Sequence, residues 1–376
     1  MKSRVFISPD DFLLRRPAST KKSYRIALIT FCRFVFGTDN LKALEKYTKK
    51  PDKSKILSDL FRFADHLDTV EKDGKRLAPN TKKLYIAAVR TYFAMNEIVF
   101  SKVQLSQIRI KEVEKSDDLA FDIDSAKLVL NHLKFLPHAV FLFLLTSGCR
   151  IGEALQVTEA DIDWTHHPVR IRIAAEGTKT RHGRKVFISD ECAEYLKNTW
   201  IPRRLDYMRA ATDRNAGLMR QKTKTAGARP DIDSDRRLFP VTVSTFRAAL
   251  IGATRRAGLE SMNDRNMRRL HPHSTRKFFR TVVGRWGSPD TAESLMGHEQ
   301  GLTSSYRKPS DTQLIEDYKK AMPYLTLGLT KEARVALETK DMHSAAIIEL
   351  RADNERLTKE MATLKRIMEI GEKERV

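Results

Sequence analysis

Two stretches near the N-terminus repeat one pattern of apolar and polar positions: "STKKSYRIALITFCRFVF" from Ser19 and "NTKKLYIAAVRTYFAMNEI" from Asn80. Tyr24, Leu28, Phe31 and Val35 recur at helical spacing in the first, and Leu84, Ala88 and Tyr92 in the second. Ser19 and Asn80 are residue types that cap helix starts, so a helix is predicted from each. A lysine pair follows each cap, Lys21 with Lys22 and Lys82 with Lys83, placed for solvent. Between them, Ile56 to Val70 reads as another helix, ending at the turn-rich "EKDGKRLAPN".

The pattern then weakens. "IRIKEVEKSDDLAFDIDSA" from Ile108 is charged and barely periodic, which suits a linker, with a second domain starting near Asp118. That domain opens with "DSAKLVLNHLKF" and with "HAVFLFLLTSG", a buried helix too short to span a bilayer and ended by Gly148. "CRIGEALQVTEADIDW" begins another helical turn. "HPVRIRIAAEGTKTRHGRKVFIS" alternates, with Val169, Ile171 and Ile173 on one face and Arg170 and Arg172 on the other, so a β-hairpin is predicted. Helical patterns dominate from Asp190 on. Trp200 to Pro230 breaks from them: eight Lys or Arg, two Asp and few large apolar residues. It reads as a basic insertion, either a solvated loop or a phosphate-contacting one.

The last stretch carries a heptad. Leu350, Leu357 and Leu364 fall seven apart, with Ile347, Asn354, Met361 and Met368 in the other seam position. A lone Asn in such a seam fixes register in two-stranded coils, and Glu360 and Lys365 are placed to pair between helices. The expectation is a coiled-coil dimer through 342–370. The competing reading is a single helix packed on its own domain.

Charge and composition narrow the function. The 376 residues hold 69 Lys and Arg against 48 Asp and Glu, a net charge of +21, with 41% hydrophobic content. That is enough apolar surface for real cores and enough positive charge to favour a polyanion, usually nucleic acid. Three cysteines, Cys32, Cys149 and Cys192, lie far apart without a CxxC pair, which fits a reducing cytoplasmic interior rather than a disulfide framework or zinc ribbon. The first residues show no long apolar run, so neither a secretory signal nor a membrane partner is expected.

Candidate chemistry is weak residue by residue. Arg150 in "TSGCRIGEAL" has a bland reading, an ion pair with Glu153 at i,i+3, and a functional one, an anion-binding arginine held by Glu153. Lys179 at the hairpin turn reads as solvated. His273, three before Arg276 in "HPHSTRKFFR", reads as structural. Together the ordered set Arg150, Lys179, His273, Arg276, His298 and Tyr306 says more. Two guanidiniums can neutralise one phosphate. A histidine and a lysine can move protons. A tyrosine is a nucleophile once deprotonated. The inventory suits phosphoryl transfer to tyrosine without a metal, and no Walker loop, HExxH or carboxylate cluster competes with it.

The segments "TSGCRIGEAL", "GTKTRHGRKVFIS", "HPHSTRKFFRT" and "LMGHEQGLTSSYRKP" together resemble the tyrosine recombinases, the site-specific integrases of phages, archaeal viruses and plasmids with the Xer proteins. "YRKPSDTQLIEDYKKAMPYLTL" looks most like archaeal integrases. The resemblance implies a mainly α fold with a small β-hairpin or sheet (α+β). It divides the chain into a helical, SAM-like core-binding domain at 1–112, a linker at 113–117, a catalytic domain at 118–328 and a helical coiled-coil tail at 329–376. It makes Tyr306 the attacker of the scissile phosphate and Arg150 and Arg276 its charge stabilisers. Lys179 becomes the proton donor to the leaving oxygen, His273 the acceptor of the tyrosine proton, and His298 a phosphate hydrogen-bonder, with Glu153 in support. The partners implied are double-stranded DNA and further copies of the chain in a tetramer, with no cofactor. Lys21, Lys22, Arg25, Lys82, Lys83 and Arg90 are the DNA-binding candidates. Three features depart from the family pattern: His298 to Tyr306 is one residue tighter, Lys277 stands where a second histidine is common, and the basic insertion and tail are additions. Tyr318 and Tyr324 are the fallback nucleophiles. The alternatives are a catalytically inactive DNA-binding architectural or regulatory protein on the same scaffold, and a type IB topoisomerase-like enzyme.

Overall fold

The computed structural model describes residues 6–72, 75–108, 119–175, 182–220, 235–262, 268–298 and 309–328, with Thr339 and Met361 singly. The 113–117 linker, Lys179, Tyr306 and the heptad tail apart from Met361 lie outside the described residues. The chain separates into two compact units, Met1–Ser116 and Asp117–Val376.

The first unit is helical: α1 (Pro9–Leu14), α2 (Ala18–Phe36), α3 (Leu41–Lys49), α4 (Lys53–Thr69), α5 (Pro79–Met95) and α6 (Lys102–Ser106), with a short antiparallel pair, β1 (Glu71–Lys72) and β2 (Lys75–Arg76), before α5. Its core is aromatic. Phe31 meets Phe63 and Phe93 edge-on, with ring centroids 5.1 and 5.8 Å apart. Both helix starts differ from the sequence expectation. The cap positions are Pro17 and Ala78, neither with a side-chain cap bond, and Ser19 and Asn80 fall inside the first turn. In α5 the chain enters through Pro79, whose fixed φ suits the first helical position. Leu84 is exposed, whereas Ala88 and Tyr92 of the predicted face are buried, in a stripe completed by Ile86, Val89 and Phe93.

The second unit is built around α8 (Phe135–Ser147), preceded by α7 (Ile123–Asn131). Apolar on all sides, α8 is buried along most of its length. It ends at Gly148, whose φ of +64° and lack of Cβ are both needed: a Cβ there would lie 2.4 Å from the Phe279 ring. The short α9 (Ile151–Ala154) follows. A three-stranded antiparallel sheet then runs in order β3 (Ile162–Asp163), β4 (Arg170–Ile173), β5 (Arg184–Phe187). Ile171 faces Val186 across the β4–β5 pair, and Ile171 and Ile173 face the core while Arg172 is exposed. The alternation read from sequence is present, and β3 adds a strand to the hairpin.

Helices complete the unit: α10 (Asp190–Tyr195), α11 (Ile201–Arg220), α12 (Val243–Arg256), α13 (Pro272–Trp286), α14 (Pro289–Met296) and α15 (Asp311–Leu325). The basic stretch after Trp200 is therefore a helix as far as Arg220, which corrects the loop expectation; residues 221–234 are not described. Buried Trp200 and Met208 hold it to the core, and Arg204 donates to the carbonyls of Arg237 and Asp235 at 2.9 and 2.6 Å. Amphipathic α13 packs on α8, α14 and α15. Among the described residues no helix is long and apolar enough to cross a membrane.

Candidate active site

Arg150 stands at the cap position of α9, directly after the Gly148 turn that ends α8. Glu153, one turn on and only 3% exposed, accepts from the Arg150 backbone N–H at 3.0 Å and from its Nη1 at 2.8 Å. The same carboxylate accepts from Nη2 of Arg184, at the start of β5, at 2.6 Å. Burial alone would raise the Glu153 carboxyl, but the bonds and charge of Arg184, joined by Arg150, hold it below the ordinary range. A carboxylate this buried is tolerable because both oxygens accept from charged or backbone donors.

Arg276 sits one turn into α13, and its residue is 2% exposed. His271 caps this helix and Pro272 occupies its first turn, which fixes where the guanidinium emerges. Nη1 donates to the Gly148 carbonyl, and Nη2 to the Met296 carbonyl at 3.1 Å and to Nε2 of His298 at 2.8 Å. Buried Nε has no partner among the described residues. Burial pushes this guanidinium down to about 10, and the charge of Arg150 pushes the same way. Unlike Arg150, Arg276 bonds no carboxylate among the described residues.

His298 follows the Gly297 cap of α14, where φ is +69°. A guanidinium only donates, so Nε2 of His298 accepts, and the ring proton resides on Nδ1. Nδ1 donates to Oε2 of Glu293 at 2.5 Å, and Arg280 donates from Nε to the other oxygen. Burial favours the neutral Glu293 carboxyl, but the bonds from His298 and Arg280 outweigh it and hold it below its ordinary value.

Four of the sequence candidates thus fall together: Arg150, Glu153, Arg276 and His298. His273 lies exposed in the first turn of α13, its backbone N–H bonded to Nδ1 of His271 at 3.2 Å. Both fallback tyrosines are deeply buried. Tyr318 donates to the Thr146 carbonyl at 2.8 Å, with its hydroxyl raised far above the ordinary value by burial, and Tyr324 stacks on Trp286 at 3.9 Å. Neither hydroxyl can reach an external phosphate from there. In the first unit Lys22, Arg25, Lys83 and Arg90 are exposed and Lys21 is half-buried. The Lys82 side chain, 12% exposed and paired with Asp68, corrects the expectation that it points to solvent.

Sequence reasoning missed Arg184, Glu293 and Arg280. In sequence Arg184 is one of several arginines of the hairpin segment, and Glu293 is one acid in a helical stretch. Each gains meaning from a partner distant in sequence or on another helix. The arrangement holds Arg150, Arg184 and Arg276 near one another with one buried carboxylate between the first two, and a neutral imidazole on the third. Three guanidiniums share one carboxylate there, so positive charge is left in excess beside an imidazole, the electrostatics of an anion receptor.

Residues 123–312, just over half of the chain, match the model of the phage integrase family. A putative integrase/recombinase of Sinorhizobium fredii is 27% identical over 177 residues, covering 46% of this chain and 56% of that protein, so the chain spans little more than half of this curated relative. Among solved structures, XerA recombinase is 18% identical, with 82% of this chain and 97% of that one covered at a TM-score of 0.34. A lambda integrase dimer bound to a COC′ core site is 12% identical, with 80% and 76% covered at a TM-score of 0.48.

Proposed function

This chain belongs to the phage integrase family, the tyrosine recombinases, and from that premise we propose that it is an active site-specific DNA recombinase that integrates or excises a mobile element. The observation that carries the reading is Arg276: a buried guanidinium without a carboxylate among the described residues, hydrogen-bonded to His298 and close to Arg150. A buried charge left uncompensated costs several kcal/mol, and a bound phosphate would offset it.

In this reading, the scissile phosphate of duplex DNA takes that place. Tyr306 Oη attacks the phosphorus and loses its proton to His273. The bond between phosphorus and the 5′ oxygen breaks, and Lys179 protonates the leaving oxygen. The products are a 3′-phosphotyrosyl link and a free 5′-hydroxyl. Arg150 and Arg276 stabilise the charge of the five-coordinate phosphorus, and His298 hydrogen-bonds a phosphate oxygen. The 5′-hydroxyl of a second strand reverses the step, so the phosphodiester energy is kept and no ATP is consumed. The exposed Lys22, Arg25, Lys83 and Arg90 of the first unit contact the DNA backbone, four copies assemble on two sites, and the heptad tail assists their association.

A nicked suicide duplex carrying the element's attachment site tests the reading. The wild-type chain is expected to form a DNA adduct that survives SDS, with or without excess EDTA. Tyr306→Phe is expected to bind the duplex and form none. A wild-type chain that binds the site and forms no adduct would favour the non-catalytic DNA-binding alternative.

A further inference from the structure

We infer that Arg184 is a positioning residue of this site, and that with Lys185 it ties strand β5 to both described ends of the chain that carries Tyr306. The inference rests on the recombinase reading above.

The Arg184 side chain is 11% exposed and divides its donors between two elements. Nη2 reaches Oε2 of Glu153 at 2.6 Å, and Nε reaches the Leu295 carbonyl near the end of α14 at 2.7 Å. The guanidinium also lies against Gly297. A Cβ there would stand 3.0 Å from Nη1 and 3.1 Å from Cζ, so the position before His298 leaves little room for a side chain. Glu153 in turn holds Arg150 by backbone and side chain. One fork therefore connects the arginine of α9 with the turn that presents His298. The next residue, Lys185, reaches Oδ2 of Asp311 at 2.6 Å, at the first position of α15. Leu295 and Gly297 precede residues 299–308, and Asp311 follows them. Two neighbouring residues of β5 thus grip the chain before and after the stretch that includes Tyr306, and β5 itself follows the stretch that includes Lys179.

The two grips differ in strength. Arg184 makes charge-assisted bonds out of water, and its loss leaves both a carbonyl and half of a buried carboxylate short of donors. Lys185 and Asp311 form an exposed pair, which contributes little on its own. Lysine cannot replace Arg184, because one ammonium lacks the planar fork that serves two acceptors in different directions. The consequence is geometric. The fork holds the separation of Arg150 and His298 together with the Arg276 bonds to Gly148, Met296 and His298, and a shift near 1 Å at a reacting centre lowers rate by about 10²-fold.

The test is single-turnover cleavage of the suicide duplex at saturating DNA, with the half-saturating DNA concentration and the Tm measured alongside. Arg184→Lys is expected to slow adduct formation by roughly 10–100-fold, with half-saturation nearly unchanged and the assay run well below its Tm. Methylguanidine added to Arg184→Ala is expected to restore part of the rate. Cleavage by Arg184→Lys at the wild-type rate would overturn the inference, as would a loss of rate that vanishes on cooling. If the Arg184 variants do not fold, the exposed pair decides: Lys185→Asp is expected to slow cleavage by about threefold, and Asp311→Lys in the same chain to restore it. An unchanged rate in the first, or no recovery in the second, counts against the tie. A wild-type chain without adduct would instead defeat the recombinase reading itself, and this inference with it.

Discussion

Glu153 and Arg276 are neighbours in one site and opposites in construction. Glu153 is a buried charge fully answered: two arginines and a backbone N–H converge on its two oxygens. Arg276 is a buried charge answered only by two carbonyls and a neutral imidazole, with Nε left over among the described residues. The first is what a fold does to hold elements together. The second makes sense when something anionic arrives from outside. The difference teaches that burial alone does not mark function; an incompletely compensated buried charge does.

Variants should separate the two in opposite directions. Glu153→Ala leaves Arg184 buried without its carboxylate, and is expected to cost about 3–5 kcal/mol of stability in urea unfolding. Arg276→Met keeps the volume and removes the uncompensated charge. It is expected to lower cleavage by about 10²–10³-fold while costing less stability than Glu153→Ala. If Arg276→Met were the more destabilising of the two, the contrast would fail. Inorganic phosphate tests the same point without DNA: at ten times its Kd a ligand of the folded state adds about 1.4 kcal/mol, and the rise in Tm should be absent in Arg276→Met.

The smallest effect expected is on pH. The folded Glu153 carboxyl lies below its ordinary value of 4.5, so at acid pH the unfolded chain binds more protons there. Its contribution is present above that value and is lost as pH falls through the lower folded one. Tm should fall less steeply below pH 4.5 in Glu153→Gln than in the wild type; equal slopes would show that Glu153 is not held as described.

Local signals carried much of the architecture. The apolar run of α8 with Gly148 behind it, the alternation from Val169 to Ile173, and the Arg150–Glu153 spacing are all short-range patterns, and each is found in the structure. Helix starts were less legible: proline at the first helical turn set the entry at Pro79, ahead of the better capping residue Asn80. The helix over Ile201–Arg220 was hidden by its many charges, because its anchors, Trp200 and Met208, are few and widely spaced. Arg184 was illegible for a different reason. Its partners are Glu153, 31 residues away, and Leu295, 111 away, and no periodicity reports such a meeting.

The central claim is that Tyr306 becomes joined to DNA. The tryptic peptide from Trp286 to Arg307 contains Tyr306 as its one tyrosine, whereas Tyr318 falls in the following peptide. Mass spectrometry of the nuclease-trimmed adduct therefore reads the attachment directly. The account expects a 3′-phosphonucleotide on Tyr306 in that peptide. The same mass on the peptide that contains Tyr318, or on neither, would contradict it.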